Sequence, residues 1–235
     1  MDKEDKYLII SFSLLTFGIL LDGLLFFFLA MSLISFILLL KLDKSLLRLL
    51  ILSMIEGFLF EELGVHTGFP FGYYEYNFPP YILGIPVAVI LAWGIFSFLS
   101  SLALIPLKGQ MKKIFLFPIL MVTIDLAVDP IMVTAGAWKW LTVTSPNWFG
   151  IPYTNFLGWF LVSLIIAVSY FPWNKVIRWK ERNTAFYLLL PLDYFLLIFN
   201  FFLHAKPQLT EPLLISTIIS ALLIGGIYSW SFKGG

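Results

Sequence analysis

Long apolar runs, broken by short charged or Pro/Gly-rich stretches, follow one another along almost the whole chain. They predict helices at 7–21, 24–40, 46–64, 82–107, 114–138, 154–171, 184–203 and 212–230. Most approach the roughly 20 residues that a helix needs to cross the hydrocarbon core of a bilayer. The expectation is an all-α, polytopic transmembrane helical bundle of about eight helices, forming a single integral membrane domain over residues 1–235. The first two runs are short, and Asp22-Gly23 between them can be read as a kink or a re-entrant turn. The first run follows a charged start, Met1 to Lys6, but Leu21-Asp22-Gly23 offers no small-residue cleavage site, so a retained helix is expected. No internal repeat and no low-complexity tract stands out.

Composition agrees with the pattern. Hydrophobic residues make up 60% of the chain and charged residues 12%, with a mean hydropathy of +0.94, outside the range of soluble domains. Orientation follows from the basic residues. With both termini cytoplasmic, Lys3, Lys6, Lys41, Lys44, Arg48, Lys108, Lys112, Lys113, Lys175, Arg178, Lys180, Arg182 and Lys233 lie inside, and only Lys139 and Lys206 fall outside. Dropping one helix would scatter the later basic loops over both faces. The net charge of +1, from 15 basic and 14 acidic residues, gives no case for a nucleic-acid partner. The absence of Cys removes thiolate chemistry, and two His are too few for the histidine-rich iron sites of membrane oxygenases.

The two longest non-cytoplasmic connections, Gly64 to Asn77 and Trp138 to Asn155, are aromatic, Gly-rich and punctuated by Pro. They can be an interfacial aromatic belt with ordinary turns or a structured cap over the bundle. Acidic residues inside apolar runs carry the strongest functional signal, because a charge near the bilayer centre costs several kcal/mol by most estimates. Glu56, Asp125 and Asp193 fall near the midpoints of their helices. Glu61, Glu62 and Asp129 lie roughly 6 to 9 Å nearer the non-cytoplasmic face, at 1.5 Å of rise per residue. Asp125 and Asp129, four apart, share a helix face just before Pro130. Two acids so close in a low-dielectric site are not both ionised, so one holds a proton it can donate. The plainer alternative is a set of interhelical hydrogen bonds. On the seventh helix Asp193, Asn200 and His204 form one polar stripe facing the bundle, readable as packing glue or a cleft lining, with His204 near the helix end an interfacial hydrogen bonder.

Several chemistries lack their parts. There is no Gly-rich dinucleotide turn and no Walker-type loop. No Lys sits mid-helix to anchor a retinal Schiff base. Asp125 and Asp129 could form one magnesium motif of a membrane prenyltransferase, but a second Asp-rich motif is missing.

The segment Glu61-Glu62-Leu-Gly-Val-His-Thr-Gly-Phe-Pro-Phe-Gly-Tyr-Tyr-Glu-Tyr76, then Leu83-Gly-Ile-Pro86, a Trp93-bearing helix, Asp125-Leu-Ala-Val-Asp-Pro130, Trp138, Trp140, Tyr153 and Asn155-Phe-Leu-Gly-Trp159, resembles the CruF-type carotenoid hydratases. That family includes bisanhydrobacterioruberin hydratase of archaea and the bacterial carotenoid 1,2-hydratases. The likeness covers roughly residues 50–160 and extends loosely to the end. It implies a protein of the prokaryotic cell membrane that adds water to a terminal double bond of a long acyclic C40 or C50 carotenoid, with no cofactor and no metal. On this resemblance Asp125 or Asp129 gives the proton and Glu61 or Glu62 orients water, with Glu56 a rival for either role. Trp93, Trp138, Trp159 and Tyr73 would line the polyene channel or its cap, and Asn155 and Asp193 are further substrate-binding candidates. A lycopene-type cyclase would share the protonation step and quench the cation internally. A small proton-coupled transporter or lipid-binding scaffold would also carry midplane acids.

Overall fold

A computed structural model describes residues 3–21, 25–41, 43–173 and 184–233 of the chain. Among these lie eight α-helices: α1 (Lys3–Leu20), α2 (Leu25–Leu40), α3 (Ser45–Thr67), α4 (Val87–Ala103), α5 (Gln110–Thr134), α6 (Tyr153–Tyr170), α7 (Thr184–Leu203) and α8 (Thr210–Lys233). The protein is an all-α transmembrane bundle. Spans at Gln110–Thr134, Tyr153–Trp173 and Pro207–Ser231 are long and apolar enough to cross a bilayer, and shorter apolar helices accompany them. Helices suit this solvent because each satisfies its own backbone where no water is available. The turn expected at Asp22-Gly23 and the basic residues Lys175, Arg178, Lys180 and Arg182 lie outside the described residues.

The α3 helix shows how sequence becomes placement. Leu46, Leu49, Ser53, Gly57, Glu61 and Gly64 recur at helical spacing on its buried side. Leu47, Ile51, Ile55 and Leu59, four apart, are exposed on the other. From Ser53 to Gly64, small and polar residues thus face the protein while large apolar ones face outward, the inverse of a water-soluble helix.

Two helix boundaries differ from expectation. The fourth helix begins at Val87 rather than near 82, because residues 81–86 fold back as a hairpin. The fifth occupies 110–134 rather than 114–138: Gly136 turns the chain at φ 73° and an extended segment follows. Six short strands form here: β1 (Tyr74–Tyr76), β2 (Tyr81–Ile82), β3 (Ile85–Pro86), β4 (Trp138–Trp140), β5 (Asn147–Trp148) and β6 (Ile151–Pro152). β1 pairs with β4 in antiparallel register, Tyr74 opposite Trp140 and Tyr76 opposite Trp138. The aromatic connections are therefore a structured cap.

The hairpins expose an internal repeat, which corrects the reading of the chain as repeat-free. β2–β3 turns at Leu83-Gly84 (φ 48° and 85°), and β5–β6 turns at Phe149-Gly150 (φ 48° and 89°). Positive φ at both central residues is the turn that suits tight hairpins, and glycine at the second position makes it accessible. Each hairpin ends in Ile-Pro, and the proline immediately precedes a helix, α4 or α6. The chain thus runs α3–β1–β2–β3–α4 and then α5–β4–β5–β6–α6. α3 and α5 run toward the cap, and α4 and α6 run away from it. The repeat escaped notice because its shared letters are confined to short Gly-Ile-Pro turns, while the rest of each unit is generic apolar sequence. The remaining helices buttress this four-helix unit: α7 packs on α4, α8 on α5, and α1 joins α2 to α7.

Candidate functional site

Beneath the cap lies a cluster of buried carboxylates. The two-residue alternation of a strand decides which cap residues meet it. Tyr74, Tyr76, Trp138 and Trp140 point inward, whereas Glu75 and Lys139 point outward and pair at 2.9 Å. Tyr74 and Tyr76 each donate a hydroxyl hydrogen bond to Glu61 Oε2, both at 2.6 Å. The Trp93 indole donates to Glu61 Oε1 at 3.0 Å. The other strand serves the other acid: Trp138 and Trp140 donate to Asp129 Oδ1 at 2.7 and 3.3 Å. The rings of Tyr74 and Trp140 lie 5.1 Å apart, and those of Tyr76 and Trp138 5.7 Å, closing the cap over both acids.

Asn155, at the start of α6, joins the cluster together. Its amide nitrogen donates to Asp125 Oδ2 at 2.6 Å and to Asp129 Oδ2 at 2.8 Å. Glu61, Asp125, Asp129 and Asn155 are all buried. One turn below the cap-side acids, Trp93 and Trp159 stack with centroids 4.1 Å apart and planes within 15°. Trp93 presses so closely on Gly57 that a β-carbon there would collide with its ring. Burial, with Glu61 alongside, pushes the hydroxyls of Tyr74 and Tyr76 well above the usual tyrosine value of 10.0. Both stay protonated as donors.

The repeat shows what is shared and what is not. Trp93 and Trp159 each follow their hairpin proline, Pro86 or Pro152, by seven residues. Glu61 and Asp129 are equivalent acids, each held by the strand that follows its own helix. Four residues earlier, however, α3 carries Gly57 where α5 carries Asp125, and three residues after the prolines α4 carries Val89 where α6 carries Asn155. Asp125 and Asn155 bond to each other. This departure from the repeat is one polar pair, added on one side of the Trp stack.

A family model described as carotenoid biosynthesis protein matches residues 22–227, which include every residue of this cluster. The chain belongs to the carotenoid biosynthesis protein family. Searches of curated proteins and of solved structures return no match.

Within this carotenoid biosynthesis protein, the structure gathers Glu61, Asp125, Asp129, Asn155, Trp93, Trp138 and Trp159 from the residues singled out in the sequence. Glu62 lies apart, on the outer side of α3, beside His66 at 3.5 Å with both side chains well exposed. Glu56 precedes the buried stripe by one position and is half-exposed. Tyr73 is exposed on the outside of the cap. Asp193 is buried elsewhere, accepting a hydrogen bond from Thr16 of α1 at 2.7 Å. Of its polar stripe, Asn200 is buried and donates to the Ile19 carbonyl, whereas His204 is exposed and bonds back to its own helix. Among the described residues no three His, Asp or Glu converge as a metal-binding group.

Tyr74, Tyr76 and Trp140 were not among the expected site residues. A signal for them exists in Tyr74-Glu75-Tyr76 and Trp138-Lys139-Trp140. Each is an aromatic-charged-aromatic triplet, and the two charges have opposite sign, which matches two paired strands with one buried face. Lys139, an exception to the basic-inside pattern, is accounted for by its pairing with Glu75.

Proposed function

We propose that the chain is a membrane-embedded carotenoid hydratase, cofactor-independent, with Asp125 as its proton donor. It works as one integral domain of a prokaryotic cell membrane with both termini cytoplasmic. The observation that carries this reading is the unequal sharing of donors among the three acids. Asp129 faces two indole N–H groups and one amide N–H, which can only donate, so three of its roughly four lone-pair sites are taken by partners that favour the carboxylate. Glu61 also receives three donors, one indole N–H and two tyrosine hydroxyls. Asp125 receives one, at Oδ2, and among the described residues its Oδ1 has no side-chain donor. It is also the acid that breaks the repeat.

The chemistry then follows. Asp125 protonates the terminal trisubstituted alkene at its less substituted carbon, forming a new C–H bond and a tertiary cation. The ionised Glu61 and Asp129 and the faces of Trp93 and Trp159 stabilise that cation as it develops. Water adds to the cation, forming the C–O bond, and its proton returns to a carboxylate, so alkene and water give the tertiary alcohol. An acyclic C40 or C50 carotenoid is about as long as the bilayer is thick and reaches the site from the lipid.

Expression in a lycopene-accumulating host, followed by mass measurement of the pigment, tests this directly. Hydration adds the mass of water, while a cyclase leaves the mass unchanged. If neither product forms from C40 or C50 acyclic substrates, the enzymatic reading fails.

A further inference from the structure

One turn below the Trp93–Trp159 stack, the repeat sets four equivalent positions around its axis: Ser53 of α3 and Met121 of α5, each eight residues before its acid, and Ser97 of α4 and Ser163 of α6, each four residues after its tryptophan. All four are fully buried. On one side Ser97 points its hydroxyl at the Met121 sulfur, 3.8 Å away, and Ser100 does the same at 3.5 Å. The repeat maps that contact between α4 and α5 onto Ser163 and Ser53 between α6 and α3. The antiparallel packing of α3 and α6 agrees: Ser45 meets Tyr170 at 3.0 Å, Arg48 donates to the Ser169 carbonyl, and counting inward along both helices brings 53 opposite 163.

Neither Ser53 Oγ nor Ser163 Oγ has a hydrogen-bond partner among the described residues. Ser32 Oγ is the one other buried hydroxyl among the described residues in this state. Buried or half-buried hydroxyls at Ser101, Thr123, Ser216, Thr217 and Ser220 all donate to a carbonyl one turn back in their own helix. A buried hydroxyl without a partner is costly, and two of them facing one interface are satisfied together by a bridging molecule that both donates and accepts. Ser53 also stands where the equivalent position carries the longer methionine Met121.

We propose that Ser53 and Ser163 form a water-binding station at the α3–α6 seam, about 6 Å below the Trp stack at 1.5 Å per residue, and that it supplies the reacting water from the side opposite the cap. The aromatic cap closes the other approach with paired strands and stacked rings. The binding of water stands on the geometry alone. The supply role rests on the hydration reading above.

A structure of the full chain in lipid nanodiscs, at a resolution that shows ordered water, tests the station. Density within hydrogen-bond distance of both hydroxyls in the wild type, lost in the Ser53→Ala/Ser163→Ala double variant, is the expected result. A seam without water in the wild type overturns the proposal whatever the activity. Hydration assays test the supply role: the double alanine variant is expected to turn over roughly tenfold more slowly at unchanged KM, the scale of losing a hydrogen bond or two. Ser53→Thr, which keeps a hydroxyl, is expected to restore most of the rate. Equal rates in wild type and double variant overturn the supply role. If the protein hydrates no carotenoid, the supply role falls with the hydration reading, and the water density still decides the station.

Discussion

Two of the buried acid sites among the described residues are built in opposite ways. Around Glu61, Asp125 and Asp129, six side-chain donors from two strands and two helices converge on three carboxyl groups. Around Asp193, a single hydroxyl from Thr16 serves one oxygen, and the other has no partner among the described residues. Both sites hold acids at similar predicted depth. What separates them is the number of N–H groups, which can only donate. A carboxyl group surrounded by N–H donors has its charge fixed in place, whereas one beside a lone hydroxyl can sit neutral at little cost. Depth in the membrane marks an acid as unusual, and its donors tell what it can do.

The largest effect expected from this contrast is on activity. Asp125→Asn should lower hydration by roughly 10²- to 10⁴-fold, the usual worth of a positioned proton donor, while Asp193→Asn leaves most of it. Equal losses in the two variants, measured as hydrated pigment per unit of folded protein, would erase the distinction between the sites. Stability should divide the same way. Asn at position 129 must turn its NH2 toward an indole or amide N–H, at a cost of about 1–3 kcal/mol, whereas Asn at 193 can place its NH2 on the unpartnered side. Melting in detergent should therefore fall for Asp129→Asn and change little for Asp193→Asn.

Packing around the site gives the next test. Gly57→Ala drives a methyl group into Trp93 and should destabilise by about 1–3 kcal/mol, whereas Gly226→Ala on α8, which meets nothing within 4 Å, should be neutral. Comparable melting temperatures for the two would contradict the tight Trp93–Gly57 contact. Among the donors, Trp138→Phe removes the 2.7 Å bond to Asp129 and Trp140→Phe the 3.3 Å one. The first should cost about 1 kcal/mol and the second less, and the reverse order would mean that the cap is seated differently over Asp129.

The smallest signal is in the titration of the ten tyrosines. The folded-state values of Tyr74 and Tyr76 are raised, so their stabilising contribution is complete below 10.0 and fades only as pH climbs through the higher folded values. Followed by phenolate absorbance, these two should ionise only with alkaline unfolding, as should the fully buried Tyr194, and Tyr74→Phe/Tyr76→Phe should shrink that late component by two tyrosines. An unchanged late component would exclude them as its source.

Much of the fold was legible from the chain. Eight helices stand where eight apolar runs stood, because a bilayer leaves the backbone few alternatives and hydrophobic length alone marks a span. The acids Glu61, Asp125 and Asp129 were legible too, since a carboxylate inside such a run has no generic role. Glu56 and Glu62 were chosen on the same reasoning and lie apart, because depth is readable from position along a helix but rotation about its axis depends on which neighbours the helix meets. The repeat lay hidden, since apolar helices resemble one another whether related or not.

The sequence by itself determined the solvent, the number of helices and the presence of acids within them, all of which follow from local hydrophobicity. Only the tertiary structure decided which acids meet and what each is given. The pairing of Tyr74–Tyr76 with Trp138–Trp140, more than sixty residues apart in the chain, brings to Glu61 and Asp129 the hydroxyl and indole donors that surround them. It leaves Asp125 with an oxygen that no side-chain donor among the described residues reaches. Hydrogen bonds are directional and short, so that assignment exists only once distant segments are in register.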